Sequence, residues 1–131
     1  MRILLDTHVI IWSAADPKKI PEEVARELES EKNELWFSPI SIWEILLLAE
    51  KKRIILKPDP EKGVRNLIKQ LPFREAAINQ EVAIMSRRID LPHHDPADRF
   101  LAATAVVYNL VLATADKRLI NSKQYSVLPL K

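Results

Sequence analysis

The stretch Arg2-Ile3-Leu4-Leu5-Asp6-Thr7 decides the fold of this chain. Three branched apolar residues in succession, so close to the start of the chain, are typical of a strand that is buried on both faces. Asp6 follows at the carboxyl end of that strand. In open α/β sheets, ligands bind in the crevice outside the carboxyl ends of the strands, so a carboxylate at this point is well placed for chemistry.

Length and composition predict one domain that spans residues 1–131. A chain of this length can bury one core but is short for two. It is 47% hydrophobic and 29% charged, which is typical of a soluble globular protein. No apolar run approaches the roughly 18 residues of a membrane span, and the first strand begins directly after Met1. We therefore expect a cytoplasmic protein with no signal peptide and no membrane association.

Two residue types exclude several classes of site. The chain has no cysteine, which excludes disulfides, a thiolate nucleophile and a cysteine zinc site. Its one glycine, Gly63, is too few for a P-loop or a dinucleotide-binding fingerprint. The net charge of +2 argues neither for nor against a nucleic-acid partner.

The rest of the chain alternates between strand-like and helix-like patterns. We expect further strands at residues 34–37, 110–114 and 125–128. We expect a short helix that begins at residues 7–12 and is closed by Asp16-Pro17, and further helices at residues 21–31, 40–52, 61–70 and 73–88, another from Asp95-Pro96, and a short one from Asp116. This alternation predicts an α/β fold with a mostly parallel sheet, covered by helices on both faces and joined by right-handed crossovers.

Asp116 follows its strand much as Asp6 follows the first one. Because the carboxyl ends of parallel strands meet at one edge of a sheet, both carboxylates should point into the same crevice. Glu44 and Asp98 each lie one turn into a helix whose start follows a strand or loop. The sequence therefore predicts that four acidic side chains converge.

Each of these acids also has a local explanation as a helix cap. Ser41 to Glu44 matches a capping box, and Asp95 with Asp98 matches a cap aspartate with a first-turn acid. Four acids at one edge, however, would repel one another unless a cation lay among them. We therefore favour a metal site, and an all-oxygen ligand set suits Mg²⁺ or Mn²⁺. One or two such ions activate water in phosphodiester hydrolysis.

Basic residues and histidines lie beside these acids. Arg99, Lys117 and Arg118 are candidate contacts for phosphates, although an ordinary charged surface explains them nearly as well. His93 and His94 could add a nitrogen ligand or a phosphate contact, or could form a solvated pair in a loop. We interpret His8 as a side chain at a helix start.

The helix at residues 40–52 is apolar almost all round. It fits either a helix buried in the core or one covered partly by a partner chain. We expect a homodimer that forms through residues 42–48.

Four stretches of the chain, taken together, resemble a known family. They are Leu4-Leu5-Asp6-Thr7-His8, Ser41-Ile42-Trp43-Glu44-Ile45, His94-Asp95-Pro96-Ala97-Asp98-Arg99-Phe100-Leu101-Ala102-Ala103 and Thr114-Ala115-Asp116. In this order they are similar to the motifs of the PIN-domain ribonucleases, specifically the VapC-type toxins of toxin–antitoxin pairs.

The resemblance implies a three-layer α/β/α fold with a mostly parallel sheet of about five strands. It also implies an Mg²⁺- or Mn²⁺-dependent endoribonuclease that forms a homodimer and is blocked by a co-expressed antitoxin. Asp6, Glu44, Asp98 and Asp116 match the family's catalytic, metal-binding acids. Asp95 matches an additional acid, with helix capping as its alternative, and Thr7 and Thr114 match polar positions that orient the acids. The resemblance also implies that the phosphates are those of RNA. The candidate contacts to them are Arg99, Lys117 and Arg118.

Other functions remain open at this point. A non-catalytic module that binds RNA or protein would suit the apolar helix and the scattered basic residues. A PIN nuclease that processes RNA or DNA without an antitoxin fits the same four acids. A phosphatase of the haloacid-dehalogenase type fits less well, because it needs an acid where His8 stands.

Overall fold

A computed structural model describes residues 1–92 and 94–130, and a five-stranded sheet lies at its centre. The strands are β1 (Arg2–Leu5), β2 (Glu34–Phe37), β3 (Phe73–Glu75), β4 (Val111–Thr114) and β5 (Val127–Pro129). Their spatial order is β3-β2-β1-β4-β5, and each neighbouring pair is parallel. From β1 the chain adds β2 and then β3 on one side, and it then returns to add β4 and β5 on the other side of β1. The strand order therefore reverses between β1 and β4, where α/β sheets open a crevice.

Helices cover both faces of this sheet. The described residues form α1 (Thr7–Ala15), α2 (Glu22–Glu29), α3 (Pro39–Glu50), α4 (Pro60–Lys69), α5 (Gln80–Arg88), α6 (Pro96–Tyr108) and α7 (Lys117–Ile120), with a 3₁₀ turn at Pro17–Lys19. None of these helices combines the length and the apolar character that crossing a membrane requires. The α/β class and the parallel sheet predicted from the sequence are confirmed.

The side chains of β1 show why the molecule has three layers. Ile3, Leu4 and Leu5 are all fully buried. Because successive side chains of a strand point to opposite faces, Ile3 and Leu5 join the core beneath α1 to α4, while Leu4 joins the core beneath α6 and α7. A strand buried on both faces needs the continuous apolar run that the sequence shows.

The prediction of a single helix at residues 73–88 is wrong. Residues Phe73–Glu75 form the edge strand β3, and the helix begins only at Gln80. Pairing with β2 fixes this strand, since the Phe37 and Phe73 rings meet edge to face and the Ala76 N–H donates to the Phe37 carbonyl over 2.8 Å. The helix start is set by Asn79, whose side chain accepts a hydrogen bond from the Val82 N–H.

The strand predicted at residues 34–37 is present with those bounds, and the other predicted elements are present with ends shifted by a few residues. The helix predicted at 40–52 is α3, which begins at Pro39 because Ser38 caps it and proline is tolerated in the first turn. The last strand, predicted at 125–128, is Val127–Pro129. Neither shift moves an acidic residue away from the carboxyl edge of the sheet.

Candidate active site

The predicted acids line one cleft at the carboxyl ends of β1 and β4. The cleft has a volume of about 360 Å³ and is lined by Asp6, His8, Trp12, Glu44, Asp95, Asp98, Ala115, Asp116 and Arg118. It opens where the strand order reverses, as the rule for parallel sheets requires. The winding of the sheet thus brings together all five acids that the sequence analysis singled out.

Asp6 precedes α1 but does not cap it. Its side chain makes no capping hydrogen bond to the described backbone of that helix. Instead, Thr114 Oγ1 donates to Asp6 Oδ2 over 2.6 Å, and both residues are buried. The cap explanation is therefore wrong for Asp6, and a partner from β4 sets the position of its carboxyl group.

Burial raises the pKa of the Asp6 carboxyl group from 3.8 to about 6. The hydrogen bond from Thr114 lowers this pKa, and the negative charge of Asp98 raises it. His8 and Glu44 have smaller and opposite effects, His8 lowering the pKa and Glu44 raising it. A cation beside Asp6 would favour the ionised form and reverse the shift.

The Thr114 hydroxyl also joins Asp6 to Asp116. It accepts a hydrogen bond of 3.1 Å from the Asp116 N–H while donating to Asp6. Asp116 in turn caps α7, because its Oδ1 accepts from the Arg118 N–H over 2.9 Å. The predicted orienting position of Thr114 thus lies between two of the acids, and Asp116 is a cap as well as part of the cleft.

Glu44 is not part of a capping box. The N-cap of α3 is Ser38, whose Oγ accepts from the Ile40 N–H over 3.1 Å. Ser41 is buried and accepts a hydrogen bond of 2.9 Å from Thr7 Oγ1. Thr7, predicted beside the acids, therefore ties α1 to α3, and α3 carries Glu44 to the cleft. Ser41 is therefore not the helix cap that its sequence context indicates, and its contact with Thr7 has no local sequence signal.

Asp95 is the N-cap of α6, which was the alternative to a role as an additional acid of the site. Its Oδ1 accepts from the Ala97 N–H over 3.0 Å and from the Asp98 N–H over 3.4 Å. Asp98, one turn into that helix, is 7% exposed. The cap holds the first turn of α6, and with it Asp98, at the cleft. Asp95 also lines the cleft itself.

The prediction of a phosphate contact at Arg99 is wrong. Arg99 is buried, and its guanidinium donates to the Ser86 carbonyl over 2.8 Å and to the Ile89 carbonyl over 2.7 Å. These bonds hold the end of α5 against α6. Because the guanidinium is engaged inside the protein, it is unsuited to contact a phosphate in the cleft.

Arg118 and Lys117 are exposed, as a role in phosphate binding requires. Arg118 faces the acids: its Nη2 lies 2.9 Å from Asp116 Oδ2 and 3.5 Å from Asp98 Oδ2. Lys117 lies with Arg118 on a neighbouring pocket of about 780 Å³, lined also by Asp90, Leu91, Pro92, Asn121, Ser122, Lys123 and Gln124. Arg118 lines both the cleft and this pocket, and Lys117 precedes it in the chain, so the two place positive charge beside the acids.

The histidines differ in their positions. His93 lies outside the described residues, and His94 is exposed and is not among the residues that line the cleft. His8, taken from the sequence as a side chain at a helix start, is exposed and does line the cleft, with its ring centroid 6.0 Å from that of Trp12. Sequence reasoning missed Trp12, although its i, i+4 spacing from His8 on α1 was a usable signal.

The donor chemistry of the cleft fits a hard divalent cation. Asp6, Glu44, Asp98 and Asp116 supply carboxylate oxygens, which Mg²⁺ and Mn²⁺ prefer. Across residues 1–92 and 94–130, however, no three acidic or histidine side chains are already grouped closely enough to hold an ion. The acids line the same cleft, but in the described residues no three of them surround a common point.

The chain is similar to known proteins over most of its length. The sequence model of the PIN domain family matches residues 3–123. Ribonuclease VapC22 of Mycobacterium tuberculosis is 32% identical over 120 residues, which cover 89% of this chain and 88% of that protein. VapBC2 from Rickettsia felis, bound to a DNA fragment from its promoter, has a TM-score of 0.72 at 12% identity, with full coverage of both chains. A toxin–antitoxin complex from Klebsiella pneumoniae has a TM-score of 0.64 at 20% identity, with 98% of both chains covered.

Proposed function

The chain belongs to the PIN domain family, and on this premise we propose that it is a metal-dependent endoribonuclease, the toxin of a toxin–antitoxin pair. The observation that carries the proposal is the convergence of Asp6, Glu44, Asp98 and Asp116 on one cleft. The identity to a ribonuclease supports RNA as the substrate. The same proposal places the protein in the cytoplasm.

These four acids would hold Mg²⁺ or Mn²⁺, as one ion or as two. When bound, the divalent cation supplies an activated water and compensates the negative charge that develops on the scissile phosphate. Without a cation the cleft would repel a phosphate, because every one of these side chains carries negative charge when ionised. The acids therefore need a bound cation to serve RNA cleavage.

Neighbouring side chains hold the acids in place. Thr114 fixes the Asp6 carboxyl group, and the bond between Thr7 and Ser41 fixes the start of α3 relative to α1. These contacts limit how far Asp6 and α3 must move when the acids gather around a cation, and side chains held in this way contribute to catalytic rate enhancement.

The rim of the cleft suits a single-stranded RNA. Lys117 and Arg118 supply positive charge for the phosphates. The exposed His8 ring lies beside the acids, next to the partly buried Trp12, and unpaired bases stack on exposed aromatic rings. We assign the protein a single-stranded RNA substrate on these grounds.

The structural relatives support the proposal of an antitoxin partner. The structural relatives include a toxin–antitoxin complex from Klebsiella pneumoniae and VapBC2 from Rickettsia felis. A small open reading frame directly upstream of the gene would favour this assignment over a PIN nuclease that works in RNA or DNA processing without an antitoxin.

The direct test of the activity is cleavage of single-stranded RNA by the purified protein. We expect cleavage with Mg²⁺ or Mn²⁺, loss of cleavage in EDTA and recovery when Mn²⁺ is added in excess. Glu44→Gln should be inactive, whereas Glu50→Gln, at the exposed end of the same helix, should match the wild type. An equal rate in EDTA, or no cleavage with either ion, would refute the proposal.

Dimerisation is proposed through residues 42–48 of α3. Trp43 is 51% exposed, and Ile42, Leu46, Leu47 and Leu48 are only partly buried. We expect a dimer at micromolar concentration by light scattering, and a monomer after Trp43→Arg, since a charge opposes burial of that face. Ile55→Arg is the matched control, because Ile55 is exposed and lies outside this segment. A wild-type protein that is monomeric at this concentration would contradict the proposed dimer.

A further inference from the structure

We propose that Arg118 is a built-in counter-cation of the acidic cleft, which competes with a divalent metal ion for Asp116 and Asp98 and thereby sets the affinity for the metal. This inference rests on the metal site proposed above. It concerns what this chain's own arginine does before and during metal binding.

The contacts of Arg118 are those of a cation that is bound by two acids. Its Nη2 lies 2.9 Å from Asp116 Oδ2, and its Nε lies 3.2 Å from Asp116 Oδ1. Parallel bonds of this kind are the strong form of the arginine–carboxylate pair. The same Nη2 is 3.5 Å from Asp98 Oδ2. The guanidinium therefore bridges an acid from the end of β4 and an acid from α6.

The position of Arg118 within α7 fixes this arrangement. Asp116 caps the helix by accepting a hydrogen bond from the Arg118 backbone N–H. Asp116 therefore binds both the backbone and the side chain of Arg118. A guanidinium keeps its proton at all working pH values, so the side chain is a permanent positive charge at the cleft.

The bridge is nevertheless removable. The Arg118 side chain is 52% exposed, whereas that of Asp98 is only 10% exposed. The guanidinium therefore approaches the buried acid from the solvent, and it can swing away without disturbing the core. The paired bonds to Asp116 are well aligned, but water screens a guanidinium that is half exposed, so its net attraction to the acids is modest.

A metal ion and Arg118 make incompatible demands on the acids. Both need carboxylate oxygens of Asp116 and Asp98, and two cations at adjacent points repel each other. Arg118 is the one lysine or arginine side chain among the described residues that line the cleft. Metal binding should therefore require the guanidinium to leave Asp116.

Two other roles of Arg118 make different predictions. If the pair were an ordinary surface salt bridge, removing it would leave the metal affinity unchanged. If the guanidinium instead positioned Asp116 as a ligand, removing it would weaken metal binding. Competition for the carboxylates predicts tighter binding when the guanidinium is lost. Simple repulsion between two cations predicts the same for a neutral replacement, but it predicts no change for Arg118→Lys, which keeps the charge.

The experiment is a calorimetric titration of the full-length protein with Mn²⁺ in the absence of RNA. We expect Arg118→Gln to bind Mn²⁺ about three- to tenfold more tightly than the wild type, as loss of a competing ion pair predicts. Arg118→Lys keeps the charge but not the paired bonds, so its affinity should lie between the two. It also serves as the test if the glutamine variant does not fold.

The matched control is Arg65→Gln. Arg65 forms an exposed pair with Glu61 on α4, with 3.3 Å between nitrogen and oxygen, outside the cleft. Its removal changes the net charge equally, and the Mn²⁺ affinity should stay within about twofold because solvent screens distant charges. Unchanged or weaker Mn²⁺ binding by Arg118→Gln overturns the inference. No Mn²⁺ binding by either the wild type or the variant overturns the metal site itself.

Discussion

Asp6→Asn is expected to reduce RNA cleavage by at least about a hundredfold, the scale on which loss of one preorganised electrostatic group acts. The substitution keeps the size of the side chain and an oxygen that can accept from Thr114, which donates to the carboxyl group in the wild type. It removes the charge that a divalent cation requires. The measurement is the initial rate on single-stranded RNA with saturating Mg²⁺ or Mn²⁺.

Asp59→Asn is the control for this substitution. Asp59 caps α4 by accepting from the Lys62 N–H over 2.9 Å, away from the cleft, and asparagine caps helices equally well. This variant should cleave RNA at the wild-type rate. Wild-type activity in Asp6→Asn would show that the cleft is not the catalytic site.

The same Asp6→Asn variant is expected to be more stable than the wild type in metal-free buffer above pH 6. Burial raises the pKa of Asp6 to about 6 from 3.8, so the ionised carboxylate destabilises the folded state. A shift of this size corresponds to up to about 3 kcal/mol in the free energy of unfolding. The neutral amide avoids the penalty that a buried charge carries.

The dependence on pH follows from the direction of the shift. Because the folded pKa is raised, the folded wild type binds the proton more tightly than the unfolded chain does. The penalty is therefore complete above pH 6, shrinks as the pH falls through 6 and is absent below about pH 4. The stability advantage of Asp6→Asn should shrink in the same range.

Denaturant titrations in EDTA at pH 7.5 and at pH 4.5 measure this difference. Asp59→Asn should show no comparable gain at pH 7.5. Addition of Mn²⁺ should stabilise the wild type but not Asp6→Asn, since a ligand stabilises the state that binds it. A stability difference that stays constant with pH would contradict the raised pKa of Asp6. A variant that is inactive and more stable separates loss of function from loss of folding.

The convergence of the acids was predictable because it depends on topology and not on side-chain detail. Asp6 and Asp116 each follow a buried strand, and parallel strands end at one edge. Glu44 and Asp98 stand one turn into helices that begin near that edge. The alternation of strands and helices therefore placed the cleft without knowledge of any contact.

Features that depend on long-range contacts could not be predicted in this way. The strand β3 has three residues, two of them exposed, and only its pairing with β2 distinguishes it from a helix. Arg99 has the sequence context of a surface charge next to an acid, yet it binds carbonyls of α5 in the interior. Arg118 has a similar context and remains exposed at the cleft. Proximity in sequence does not reveal which side of a helix meets the core.

The central claim is that side chains from four separate elements hold one divalent cation site for RNA cleavage. Diffraction from crystals soaked in Mn²⁺, with the anomalous signal of the metal, tests it most directly. We predict at least one Mn²⁺ peak in the cleft, about 2.1 Å from carboxylate oxygens of Asp6 and at least one of Glu44, Asp98 and Asp116. A crystal that shows Mn²⁺ only at other surface carboxylates, with none bound by Asp6, would contradict the account.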